Sequence, residues 1–169
     1  RPSPPPSHPG PRLVLASGSP RRAELLRGLG VPLEIVVPDV DEDVLPGEPP
    51  GVYVERLARS KAAAGAAVVT VTEPGARSGA AAVVIAADTT VALDGHILGK
   101  PDDDDHARSL LRRLAGRSHD VSTGVAVAHD GTIVSAVDTA VVTFAALSDR
   151  EVEWYLGTGE PFDKAGGDG

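Results

Sequence analysis

The sequence predicts an α/β or α+β domain with an elongated, mixed sheet flanked by helices. Three observations carry this. Short apolar runs alternate with helical stretches through the first half of the chain. Ala81–Ala87 is apolar without a break, as in a strand buried on both faces. Asp94-Gly95 and Asp130-Gly131 each stand between β-like runs, and such pairs favour tight hairpins.

Residues 1–11 (RPSPPPSHPGP) are too Pro-rich for a helix or a central strand, so they read as a disordered tail. They lack the layout of a secretory signal. No initiating Met precedes them, which reads as a chain that is processed, trimmed or incompletely represented. Leu13–Ala16 reads as a buried strand, broken by Ser17-Gly18-Ser19-Pro20. Ser19 suits an N-cap and Pro20 the first helical position, so a helix is expected over Pro20–Leu29, closed by Gly30.

Leu33–Val37 reads as a second strand, and residues 38–51 as an acidic loop. Val52–Val69 follows as a helix with Val54, Leu57, Ala58, Lys61 and Ala62 close in position, then a loop over 70–79. After the Ala81–Ala87 strand, Thr90–Leu93 and His96–Leu98 form a hairpin. Asp102–Ala115 is a helix opening on four aspartates, which oppose its dipole. Val121–Ala128 and Thr132–Phe144 make a longer hairpin. Ser148 and Glu151 are spaced as a capping box for a helix through Leu156. Residues 157–169 read as irregular, and there is no internal repeat.

With 169 residues, the chain has room for one domain, or one domain with a small lobe. A net charge of −8 and an aromatic share of 3% argue against a nucleic-acid polymer as partner. No apolar run reaches the length of a membrane span, so no membrane partner is expected. The absence of Cys excludes disulfides, thiolate metal sites and cysteine nucleophiles. Among 16 basic residues only Lys61, Lys100 and Lys164 are lysines. GC-rich coding explains a default to Arg. A surviving Lys then reads either as chance or as a place that wants a compact ammonium.

Four segments carry candidate chemistry. LVLASGSPRRAELL, Leu13–Leu26, runs a strand into a Ser/Gly turn and a helix with Arg21 and Arg22 in its first turn. Cations there oppose the dipole unless an anion compensates, so a phosphate site competes with a plain capped helix. Asp39, Asp41, Glu42 and Asp43 form either a solvated loop or a hard-cation site completed by phosphates and water. Asp88 follows a buried strand, where a carboxylate can hold a metal, activate water or merely cap a turn. Glu160, Asp163 and Lys164 lie in a Gly-rich stretch where backbone can approach a ligand. The five histidines show no ligand spacing.

Together these motifs resemble the Maf proteins, a family of nucleoside triphosphate pyrophosphatases once described as septum-formation inhibitors. The likeness runs through LVLASGSPRRAELL, Pro38–Glu42, Glu55–Ala62, AADTTVALDGHILGKP at Ala86–Pro101, HDVSTGVAV at His119–Val127 and Thr143–Gly167. It therefore covers residues 12–169, read as one Maf-like domain. It implies the Maf/Ham1 (ITPase-like) fold, with two lobes and a central cleft. It also implies hydrolysis of a triphosphate to monophosphate and pyrophosphate with Mg²⁺ or Mn²⁺, in the cytoplasm, with a homodimer as a possible state.

By the same resemblance Ser17, Ser19, Arg21, Arg22 and Lys164 contact phosphate. Asp88, Lys61 and Lys100 are catalytic, and Glu42, Asp88 and Asp163 hold the metal. Arg at position 21, where members acting on methylated GTP carry an aromatic residue, resembles the branch acting on dTTP and UTP. The rival expectations are a non-catalytic nucleotide-binding regulator of division and a pyrophosphatase for purine or inosine triphosphates. Family members continue after DKAGG with a stretch containing Gln, and this chain has no Gln. The resemblance thus implies an incomplete C-terminal end.

Overall fold

The computed structural model describes residues 12–72 and 82–159. The expected Pro-rich tail, most of the 70–79 loop, Asp163 and Lys164 lie outside the described residues. In chain order the elements are β1 Leu13–Ala16, α1 Pro20–Arg27, β2 Leu33–Val36, α2 Pro50–Thr72 and β3 Val83–Leu93. Then come β4 His96–Leu98, α3 Asp104–Leu114, β5 Ser118–His129, β6 Thr132–Thr143 and α4 Asp149–Leu156. The strands form a six-stranded sheet ordered β2-β1-β3-β5-β6, with β4 pairing β3. β1 runs parallel to both β2 and β3, while β4 is antiparallel to β3, so the sheet is mixed as expected.

One expectation is corrected in β3. The run to Ala87 and the run from Thr90 are a single strand of 11 residues, and Asp88 lies inside it. The reason is a change of partner. Leu13–Leu15 pair with Val83–Ile85, whereas His96–Leu98 pair with Leu93–Val91. Asp88 still lies beyond the last parallel pair, Leu15–Ile85, which is where strand-end ligands sit in α/β folds.

Other differences are at element ends. α1 stops at Arg27 with Gly28 as its C-cap, and Gly30, at φ 72°, completes the turn that follows. α2 begins at Pro50 and runs to Thr72, and Pro is preorganised for a first helical turn. α3 starts at Asp104, because Asp103 turns extended and accepts the His106 N–H as N-cap. Both Asp-Gly turns have positive φ at both residues: 52° and 78° at Asp94-Gly95, 47° and 75° at Asp130-Gly131. That is the type I′ sign pattern that matches strand twist.

The chain divides into two compact units. Of the described residues, the first comprises 12–42, 57–72, 82–87 and 125–135. Its core joins Val14 and Ala16 of β1, Ala58 and Ala62 of α2, Val84 and Ala86 of β3, and Ala126 and Ala128 of β5. Small residues dominate and backbones approach closely: a Cβ on Gly65 would lie 2.8 Å from Ala16 Cβ. The second unit comprises, of the described residues, 43–56, 88–124 and 136–159. One of its clusters packs Val91, Leu93, Leu98, Leu110 and Leu114 together. Another packs Ala107 and Leu111 of α3 against Val152 and Leu156 of α4, with the capping box at Ser148 and Glu151 formed. No helix among the described residues is long and apolar enough to cross a membrane.

Candidate active site

The turn after β1 is built from short hydrogen bonds. Ser17 is buried, 8% exposed. Its Oγ accepts the Ser19 N–H at 3.2 Å. Ser19 caps α1, and its Oγ accepts the Arg22 N–H at 3.4 Å. No acidic residue occupies the first turn of α1 to oppose its dipole, and Arg21 and Arg22 stand there instead. A helix start with two cations and free N–H groups suits an anion. The two arginines differ. Arg21 is exposed and makes no hydrogen bond or ion pair among the described residues. Arg22 is half-buried, and its Nη1 donates to Ala87 O at 2.8 Å and Ser17 Oγ at 3.3 Å.

In the same unit, Lys61 Nζ lies 2.7 Å from Glu42 Oε1. The lysine is 12% exposed and the glutamate 57%. α2 fixes the lysine, since Leu57, Ala58 and Ala62 around it are fully buried. A metal-directed residue and a catalytic lysine of the sequence reading are thus brought into contact.

In the second unit, residues 43–48 of the acidic loop are held by a pair that the sequence does not single out. Arg56 Nε donates to Glu48 Oε1 at 2.6 Å, and Arg56 Nη2 donates to Glu48 Oε2 at 2.8 Å. Arg56 Nη2 also donates to Asp43 O at 2.9 Å, and the Leu45 N–H donates to Glu48 Oε2 at 3.0 Å. The fork geometry of Arg allows this many fixed bonds. The Arg56 guanidinium holds the Glu48 carboxyl below its ordinary range, with the Leu45 N–H helping, against the opposing effect of burial. Charge signs eight residues apart across two prolines give no spacing signal, which is why sequence reading passes over the pair.

Asp88 is 9% exposed and Thr90 3%. Next to Asp88, Thr89 Oγ1 shares a 3.0 Å hydrogen bond with Thr123 Oγ1 of β5. Lys100 is exposed on the loop after β4, ahead of the buried Pro101. Glu42 and Asp88 are hard oxygen donors of the kind Mg²⁺ takes. Among the described residues no three His, Asp or Glu side chains gather into a metal cluster. Mg²⁺ can be held by as few as one or two carboxylates when phosphates and water complete its shell, so either residue is chemically able to serve as a donor.

The order of these motifs is matched elsewhere. The sequence profile described as "Maf-like protein" matches residues 12–169, nearly the whole chain. The chain belongs to the Maf family. Curated Maf relatives agree. A protein from Anaeromyxobacter dehalogenans named "dTTP/UTP pyrophosphatase" is 52% identical over 160 residues, covering 92% of this chain and 75% of its own length. Proteins of the same name from Chromobacterium violaceum and Vibrio cholerae are 50% and 49% identical over 155 residues. Each alignment spans 92% of this chain, and 76% and 78% of those two relatives. The mixed sheet and four helices among the described residues accord with the Maf fold inferred from sequence.

Proposed function

We propose that this chain hydrolyses dTTP, UTP and modified pyrimidine triphosphates to the monophosphate and pyrophosphate, a house-cleaning of the nucleotide pool. The observation that carries this is identity of 52% along 92% of the chain with a relative named for that activity. The chemistry of the candidate residues supports it. A triphosphate brings several negative charges. Arg21, the start of α1 and the hydroxyls of Ser17 and Ser19 offer donors to them, and Lys61, Lys100 and Lys164 offer further charge.

Water attacks the α-phosphorus in line, the α–β bridge P–O bond breaks, and pyrophosphate leaves. Asp88 orients that water and takes its proton. A divalent cation, Mg²⁺ or Mn²⁺, supplies charge neutralisation on the phosphates when bound, with Glu42, Asp88 and Asp163 as the chain's donors for it. The chain's own work is then mostly positioning and electrostatic stabilisation. The setting proposed is the cytoplasm, with a homodimer as the assembly.

The test is a panel of dTTP, UTP, dCTP, GTP and ITP with Mg²⁺ or Mn²⁺. Preference for the two named pyrimidines supports the reading. Faster turnover of GTP or ITP replaces the substrate assignment, and tight nucleotide binding without turnover replaces the enzyme with a binding regulator.

A further inference from the structure

The paired arginines of the β1–α1 turn are not equivalent, and the difference rests on hydrogen bonds that link three pieces of chain. Arg22 Nη1 carries two protons. One goes to the carbonyl of Ala87, the residue before Asp88, at 2.8 Å, and the other to Ser17 Oγ at 3.3 Å. Ser17 Oγ also accepts the Ser19 N–H at 3.2 Å. A serine hydroxyl has two lone pairs and one proton. Both acceptor positions of Ser17 are filled, so its proton is left to donate. No acceptor for that proton is found among the described residues, although Ser17 is only 8% exposed. With both acceptor positions occupied by protein donors, Ser17 can meet a ligand only as a donor, which suits an anionic oxygen.

We propose that Arg22 is a positioning residue, which fixes Ser17 as an obligate donor to a phosphate oxygen and ties the turn to β3 at the residue before Asp88. Arg21 is then the arginine that meets the phosphates directly. The inference rests on the triphosphate reading for its ligand, and on the geometry alone for the brace.

A double-mutant cycle tests the first part. Wild type, Arg22→Met, Ser17→Ala and the double variant are compared in kcat/KM for dTTP. Arg22→Met is expected to lose about 10²-fold, the scale of a small misplacement at a reacting centre. Because Arg22 acts through Ser17, the double variant falls within about threefold of the worse single variant, whereas the losses of Arg21→Met and Ser17→Ala multiply. Losses of Arg22→Met and Ser17→Ala that multiply overturn the proposal.

Amide exchange of the free protein tests the brace without turnover. Arg22→Met should speed exchange in residues 17–23 and in residues 84–88 together, and Arg21→Met in neither. Unchanged exchange in both segments for Arg22→Met overturns the brace. A wild type that shows the exchange result and yet no dTTP hydrolysis contradicts the functional reading alone. If Arg22→Met does not fold, Arg22→Lys replaces it under the same criteria.

Discussion

Lys61 Nζ and Glu42 Oε1 stand 2.7 Å apart, one side chain 12% exposed and the other 57%. This asymmetry gives the pair a direction. The ammonium is held by the helix that carries it, while the carboxylate is the more exposed partner. Glu42→Gln should lower kcat about 10²-fold and raise the metal concentration needed for half-maximal rate. It should cost about 1–2 kcal/mol in stability, between the values for exposed and buried pairs, because Lys61 is only 12% exposed while Glu42 is 57% exposed. Lys61→Arg keeps the charge but puts a planar fork in a place shaped for a compact ammonium, and should also impair turnover. Metal titration of the rate and thermal melting check both. An unchanged metal requirement in Glu42→Gln would remove Glu42 from the cation's donors.

Asp88 gives a second prediction. Asp88→Asn is close to isosteric and should keep the fold of a residue that is 9% exposed. Losing a general base costs about 10²–10⁴-fold in rate. Steady-state kinetics with calorimetric dTTP binding check it: kcat falls and binding is retained. Wild-type kcat in this variant contradicts the role.

Acid stability follows from Glu48. Its carboxyl is lowered from its ordinary 4.5, chiefly by its hydrogen bonds with Arg56. Below 4.5 the unfolded chain takes up a proton that the folded chain still refuses. The stabilisation is therefore full above pH 4.5 and fades as pH falls through the lowered folded value. Arg56→Met should flatten this part of the stability–pH curve. Urea melts of wild type and variant from about pH 2.5 to about pH 6.5, roughly 2 units either side of the ordinary 4.5, check it. Parallel curves would show that the pair contributes nothing.

Gly124 tests the packing of β5 on α2. A Cβ there would meet the Val54 carbonyl carbon at 2.6 Å and the Glu55 nitrogen at 2.8 Å. These are backbone atoms and cannot swing aside. Gly124→Ala should destabilise by about 1–3 kcal/mol or more, the cost of overpacking. Gly131→Ala, where open space surrounds the Cβ position, pays only for its positive φ of 75°. Chemical denaturation ranks the two, and a harmless Gly124→Ala would contradict the close approach.

What was legible in the sequence was local. Ser19-Pro20 announced its own cap, and Ser148 with Glu151 formed the box their spacing promised. Asp94-Gly95 and Asp130-Gly131 form the two hairpin turns because both positions take positive φ. The resemblance carried the family and its motif order, because those motifs are contiguous. What was hidden depends on distant partners. β3 looked like two strands because its pairing passes from β1 to β4 along its length. Arg22 looked like the twin of Arg21 because its acceptor, Ala87 O, is 65 residues away. Glu42 and Lys61 were each singled out, but only folding brought them into contact.

The phosphorus that water attacks separates pyrophosphate release from stepwise loss of phosphate. Hydrolysis of dTTP in ¹⁸O-enriched water, with both products analysed by mass spectrometry, reads it in one step. Attack at the α-phosphorus puts the label in thymidine monophosphate and leaves the pyrophosphate unlabelled. Label in the pyrophosphate, or release of orthophosphate with a nucleoside diphosphate, would contradict it.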